Sequence, residues 1–236
     1  MSFNSYISSL ASSIEKRVLE EEARTDTARD ETQSEKEYLL AALVAIAIEA
    51  QERLRRGVSK STVLKDLRNG WLEALQRTAR SAFRKGAALR SVDTPIDINK
   101  ATLESKRLQD QIEFQSQFLL QFADEYVSGE MLEPRKMKFV NRAMLYALTM
   151  SGYYNMGAVY GGPSNVLIYW KLGACDHCTD CPALHVSGPY TKDTLPTLPG
   201  MGATKCGSWC CCHLVIVPNL SALQVAYTMT AGSGVL

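Results

Sequence analysis

The sequence predicts a mainly α-helical fold: a body of about five helices, followed by a small C-terminal β module with a zinc-knuckle-like cysteine site. Three observations predict it. Apolar residues recur at three- and four-residue steps along most of the chain up to Gly157, the pattern of helices buried on one face. After Gly161-Gly162-Pro163, which stops a helix, the run Val166–Trp170 is β-branched and aromatic and reads as a strand. All seven cysteines fall between Cys175 and Cys212.

The elements follow in order. Ile7, Leu10, Ile14 and Val18 form a stripe on a first helix over about 8–24, with Ser12 and Glu15 spaced as a capping box. Arg24 to Ser34 is polar, a linker or a solvated helical extension. Glu35 to Arg56 is a second helix carrying the apolar run Tyr38–Ile48, with Gly57 at its C-cap. A third runs from Lys60 to about Leu89, with Ser59 or Ser61 as cap and Val63, Leu67, Trp71 and Leu75 on one face. Asn69-Gly70 weakens its middle by roughly 1 kcal/mol. Ser91–Ile98 holds two aspartates and a proline and is a connection. A fourth helix spans about Lys100 to Val127, with Leu108, Ile112, Leu119, Phe122 and Tyr126 inward and Gly129 at its end. Pro134 suits the first turn of a fifth helix reaching about Gly157, with Val140, Met144, Ala147 and Leu148 as its stripe. His213–Val217, stopped by Pro218, is a second strand. This divides the chain into an arm and linker (1–34), a helical body (35–162), the β module (163–218) and a tail (219–236).

Composition excludes several classes. The chain has 236 residues, 46% hydrophobic and 22% charged, with a net charge of +1, an ordinary globular balance that argues against wholesale disorder. The run Tyr38–Ile48 is well short of the roughly 20 residues a bilayer span needs. No basic segment followed by an apolar stretch opens the sequence, so the expected setting is a reducing cytoplasm, where thiols stay available for metal. Walker and dinucleotide glycine patterns are absent, and so is any evident repeat.

The cysteines are ordered Cys175-x2-Cys178-x2-Cys181, then Cys206-x3-Cys210-Cys211-Cys212-His213. A C-x2-C turn places two thiolates on one tetrahedral zinc at about 2.3 Å, and a second cluster returning on a paired strand completes the site. The reading is one structural zinc per chain; disulfide pairing and unliganded thiols are the alternatives. Alternation along a strand puts Cys210 and Cys212 on one face and Cys211 on the other. The favoured ligands are therefore Cys178, Cys181, Cys210 and Cys212, with Cys206 competing for one place and Cys175 and Cys211 as bystanders. His185 and His213 are further candidates. No catalytic residue is assigned: sulphur dominates, the zinc deaminase pattern H-x-E…P-C-x-x-C is missing, and Asp176, Asp180 and Asp193 lie in polar loops.

The run Trp170 … Cys178-Thr179-Asp180-Cys181-Pro182-Ala183-Leu184 … Gly188-Pro189-Tyr190 … Leu195-Pro196-Thr197-Leu198-Pro199-Gly200-Met201-Gly202 … Cys206 … Cys210-Cys211-Cys212 resembles the C-terminal signature of phage minor head proteins of the Mu F-like head morphogenesis family. Arg142-Ala143-Met144-Leu145-Tyr146 corresponds to that family's tyrosine-bearing helix, and the match covers about 142–214. Two departures stand out: Cys211 occupies a place usually held by arginine, and Cys175 is additional. The resemblance implies a structural, non-enzymatic virion component of a tailed phage, made in the host cytoplasm. It would associate with the portal vertex or major capsid protein, in a ring-like multi-copy arrangement, during head assembly and DNA packaging or ejection.

The near-neutral total conceals an asymmetry. Residues 1–38 hold nine Asp/Glu and five Lys/Arg, whereas 52–90 hold eleven Lys/Arg and three Asp/Glu. Arg77, Arg80 and Arg84 fall at helical steps and present either a solvated face or a contact to a protein partner or packaged DNA. The alternative function is thus a zinc-containing nucleic-acid-binding protein using this face. The N-terminal stripe either packs on the body or docks in a partner's groove.

Overall fold

The computed structural model describes residues 32–88, 106–130, 137–162 and 165–218. The expected first helix, its linker up to residue 31, the 91–98 connection, Pro134 and the 219–236 tail lie outside them. Among the described residues, five helices form the body: α1 (Gln33–Arg55), α2 (Lys60–Ala88), α3 (Lys106–Ser128), α4 (Phe139–Leu148) and α5 (Met150–Tyr160). Strand β1 (Val166–Lys171), a short helix α6 (Asp180–Ser187), a 3-10 turn (Gly207–Trp209) and strand β2 (His213–Pro218) follow. The mainly helical fold with a small terminal sheet is as expected.

Helix α2 is the hub, with α1, α3 and α5 packed around it. Val63, Leu67, Trp71 and Leu75 are all buried, as their spacing predicts. Trp71 donates its indole N–H to the Leu43 carbonyl at 3.0 Å and lies 4.9 Å from the Phe122 ring, so one side chain joins α1, α2 and α3. Leu108, Ile112, Leu119 and Phe122 are buried and Tyr126 half-buried, with its hydroxyl donating to the Ala47 carbonyl at 2.9 Å. Gly57 and Gly129 adopt φ of +82° and +90°, a left-handed conformation that ends α1 and α3 as the sequence indicates.

The expected fifth helix is two. Thr149 separates α4 from α5: its backbone N–H reaches Tyr146 O, three residues back, at 3.2 Å, and its hydroxyl donates to the same carbonyl at 2.6 Å. This local bond competes with the helical ladder and tightens the turn. The predicted stripe of α4 is also rotated. Val140 is 54% exposed and Met144 and Leu148 half-buried, while Ala143, Tyr146 and Ala147 are buried. Tyr146 stacks on Phe122 at 6.0 Å, and Arg142 lies over the same ring at 4.6 Å while pairing with Glu125. The aromatic cluster on α3, which the local stripe does not register, sets the face.

Helices α2 and α5 meet backbone to backbone. A Cβ on Gly157 would collide with the Phe83 carbonyl and sit 3.0 Å from Ala87 N; one on Gly86 would collide with the Tyr154 carbonyl. The body and the sheet share a single core, which runs from Leu39 on α1 to Trp170, Cys181 and Ile216. In the sheet, β1 pairs antiparallel with β2 from Val166↔Pro218 to Lys171↔His213. Tyr190 bridges the other edge of β1, exchanging backbone bonds with Ile168 at 2.7 and 2.8 Å.

Two predictions follow from this packing. Gly157→Ala lowers the unfolding free energy by about 3 kcal/mol, the upper end of overpacking costs. Gly70→Ala, whose methyl meets only the flexible Ile46 side chain, changes it by less than about 1 kcal/mol. Urea denaturation of the two variants compares them. Separately, buried Glu35 accepts from Lys85 Nζ and Ser81 Oγ, both at 2.9 Å. Burial opposes its charge, but these bonds outweigh it and hold its pKa below the usual glutamate value. A lowered folded pKa stabilises above the unfolded value and is lost as pH falls. The stability advantage of wild type over Glu35→Gln is therefore full at neutral pH and shrinks under acid titration.

Candidate metal centre

The sheet register brings the cysteines together. The chain leaves β1 at Lys171 and returns to β2 at His213, directly opposite. The segment after β1 and the segment before β2 therefore face each other, with Cys175, Cys178 and Cys181 on one side and Cys206, Cys210, Cys211 and Cys212 on the other.

Cys178 and Cys181 flank the start of α6, a short helix where the sequence predicts a polar loop. Pro182 sits in its first turn, where a missing N–H costs nothing. The Cys178 and Cys181 sulphurs are 3.5 Å apart, and Cys206 Sγ lies 3.5 Å from the first and 3.6 Å from the second. Cys210 Sγ lies 3.8 Å from Cys181 Sγ, and Cys181, Cys210 and Cys212 form a second triple with all sulphurs within 4.8 Å. A metal held by sulphurs at about 2.3 Å has tetrahedral edges of about 3.8 Å. The measured separations fit, so the cysteine groups can hold a metal ion.

The surroundings prepare these sulphurs for charge. Desolvation works against a Cys178 thiolate, but the backbone N–H groups of Cys181 and Asp180 at the start of α6, with neighbouring thiols, bring it down to about 7. A hydrogen bond from Cys210 is the main cause that lowers Cys212 to about 5, against burial; Trp170 also favours this thiolate. Cys210 is correspondingly pushed up, first by that bond and then by burial, and burial pushes up Cys181. The cluster thus favours the thiolate at Cys178 and Cys212 and disfavours it at Cys181 and Cys210, where a bound metal would take the proton's place.

Asp180 clasps the two halves. Its carboxylate accepts the Lys205 backbone N–H at 2.8 Å, and Lys205 Nζ donates to Thr179 Oγ1 at 2.8 Å. The Lys205 N–H is the main cause holding the Asp180 pKa below the usual range. Next along the chain, Thr204 Oγ1 lies 3.2 Å from Cys206 Sγ. The x2 of the C-x2-C turn is therefore tied to the residues flanking Cys206.

Of the favoured residues, Cys181, Cys210 and Cys212 form one group, and Cys178 forms another with Cys181 and the competitor Cys206. Cys210–Cys212 precede β2 rather than belonging to it, and Cys211 lies outside the Cys181–Cys210–Cys212 group. Cys175 and Cys211, the expected bystanders, lie outside both of these groups. They are joined by a disulfide, Cα–Cα 6.4 Å, because the strand register carries both past the same end of the sheet. His185 turns its Nδ1 to the Trp170 carbonyl at 2.7 Å. Neither it nor His213 belongs to a metal-capable group among the described residues. The sequence reading missed His177, whose Nδ1 lies 3.7 Å from Cys212 Sγ and 3.9 Å from Cys211 Sγ. Its signal was local, Cys175-x-His177-Cys178, one residue inside the first cysteine run.

Of the basic residues, Arg77 lies over the Tyr38 ring at 5.5 Å toward α1, Arg80 lines a cleft with Gln109 and Glu113 of α3, and Arg84 is exposed. No helix among the described residues is long and apolar enough to cross a membrane. Comparison with protein-family models, curated proteins and solved structures finds no match for this chain.

The clasp yields a test. Asp180→Ala removes the acceptor for Lys205 N–H and weakens metal retention by about 10- to 100-fold, the usual effect of losing a group that orients ligands. Competition with a chromophoric chelator measures it. An unchanged affinity would show that Asp180 does not position the ligands.

Proposed function

We propose that this chain is a structural, non-enzymatic minor head protein of a tailed phage, whose zinc-stabilised module helps fix it to the portal or major capsid protein. The observation that carries the metal part is the Cys178–Cys181–Cys206 triangle with Cys210 beside it, at separations that suit zinc. Zinc is the ion such a thiolate set prefers among common divalent metals, and it would tie the two cysteine loops together at the end of the sheet. The phage assignment rests on the resemblance of the C-x2-C…C-x-C frame and its proline- and glycine-rich spacer.

Two features support a non-catalytic role. A set made only of sulphurs leaves no open coordination position. Asp180, the carboxylate within the C-x2-C turn, is engaged with Lys205. The nucleic-acid alternative gains no specific support, since Arg77 and Arg80 turn toward different neighbouring helices.

Elemental analysis of the purified chain is expected to find zinc. Cys178→Ser with Cys181→Ser loses it together with cooperative unfolding of the module. Full folding without metal in a strong chelator would contradict the structural role. Mass spectrometry of purified phage particles is expected to detect the chain at low copy, co-purifying with portal protein. Its confinement to the soluble lysate would overturn the virion assignment.

A further inference from the structure

One tetrahedral site uses four of the seven cysteines and leaves three. Two of them, Cys175 and Cys211, are not scattered. Cys175, Cys211 and His177 form their own metal-capable group, separate from the Cys178–Cys181–Cys206 triple. His177 Nδ1 is its centre: it lies 4.0 Å from Cys175 Sγ, 3.9 Å from Cys211 Sγ and 3.7 Å from Cys212 Sγ. A nitrogen at about 2.1 Å and a sulphur at about 2.3 Å from one tetrahedral ion are about 3.6 Å apart. Each of these three N–S separations is near the spacing a shared ion imposes; Cys212 Sγ, which is not within 4.8 Å of both other sulphurs, has to shift toward them to complete the set.

We propose that Cys175, His177, Cys211 and Cys212 form a second metal site, for a zinc-like thiophilic divalent ion, and that the Cys175–Cys211 disulfide closes this site when the chain is oxidised. Cys212 is the residue both clusters approach. Assigned to the second site, it leaves Cys178, Cys181, Cys206 and Cys210 for the first. Seven cysteines and one histidine then make two complete tetrahedral sets, one of four sulphurs and one of three sulphurs and a nitrogen.

The disulfide and the ion are alternative states of the same pair. A Cα separation of 6.4 Å lies within the range that a disulfide spans. Cys175 is exposed, so a reductant reaches it. A dithiol gives up two electrons and two protons to the S–S bond, leaving two Cys thiols and a disulfide of its own. A divalent ion then replaces the protons of Cys175, Cys211 and Cys212 and binds neutral His177, releasing up to three protons. A small-molecule disulfide reverses the sequence: it takes two electrons and two protons from Cys175 and Cys211, is reduced to two thiols, and the ion is expelled.

This proposal rests on the cysteine loops being a metal centre, but not on the phage reading. The test loads the full chain with zinc anaerobically, with and without prior reduction by a trialkylphosphine, and counts bound zinc by native mass spectrometry. The phosphine takes the oxygen of a water molecule as it reduces the bond, and adds no thiol ligand. The expected result is two zinc per chain after reduction and one without. His177→Gln and Cys175→Ser, both changes outside the buried core, hold one in either state and keep the wild-type far-UV spectrum. A reduced wild type that stops at one zinc, or a reduced His177→Gln chain that holds two, overturns the second site. No zinc in either state overturns the first site as well. Cobalt loading gives an independent readout: the second equivalent adds thiolate-to-cobalt absorbance in the wild type and none in His177→Gln.

Discussion

The antiparallel pairing of β1 with β2 is the constraint on which the candidate centre depends. None of the seven cysteines lies in either strand, yet the register decides which of them meet. With Lys171 opposite His213, the two loop ends leave the sheet side by side. The register is held by burial: Val166, Ile168 and Trp170 alternate inward along β1, and a one-residue slip would turn Trp170 out of the core. Both faces of β2 are covered, since Leu214, Val215, Ile216 and Val217 are all buried. A two-stranded ribbon is marginal alone in water, so this coverage has to come from elsewhere in the chain.

The helical body supplies it. Helix α5 packs on α2 so closely that backbone meets backbone at Gly86 and Gly157, and its other side receives the spacer between the cysteine clusters. Met201 fills the space over Gly152, and Asn155 Nδ2 donates to the Pro199 carbonyl at 3.4 Å. The proline- and glycine-rich spacer is therefore seated on α5 and delivers Cys206 from a fixed position. Helix α4 touches the 3-10 turn that precedes Cys210, and α6 lies against β1. Each cysteine loop is thus tethered to the sheet at one end and to a helix at the other. The centre is built on rigid elements, which is what holding sulphurs at tetrahedral spacing requires.

Asp180 shows how local chemistry and tertiary placement combine. In the sequence it is one of three carboxylates in polar loops, with nothing to separate it from Asp176 or Asp193. In the fold it begins α6, where its neighbours' backbone N–H groups face Cys178, and it binds the Lys205 N–H across the cleft between clusters. A single residue therefore stabilises the C-x2-C turn and orients the returning strand of ligands.

Much of the molecule was legible in one dimension. The one-sided stripes of α2 and α3, the glycines that end α1 and α3, the two strands and the metal-type spacing of the cysteines all depend on neighbours a few residues apart, and the sequence alone determined them. Tertiary structure decided the rest. Thr149 broke the last body helix through one carbonyl, and the buried face of α4 turned to meet Phe122 on α3. Which of the seven cysteines lie close together is decided by distances across the sheet, which no spacing rule measures. Cys206 came within reach because the spacer is seated on α5. Cys175 and Cys211 met because the strand register aligned them. His177 entered because its ring points at sulphurs 34 and 35 residues further along the chain. Ligand identity is a property of convergence in space, and convergence is set by long-range packing that leaves no local periodic trace.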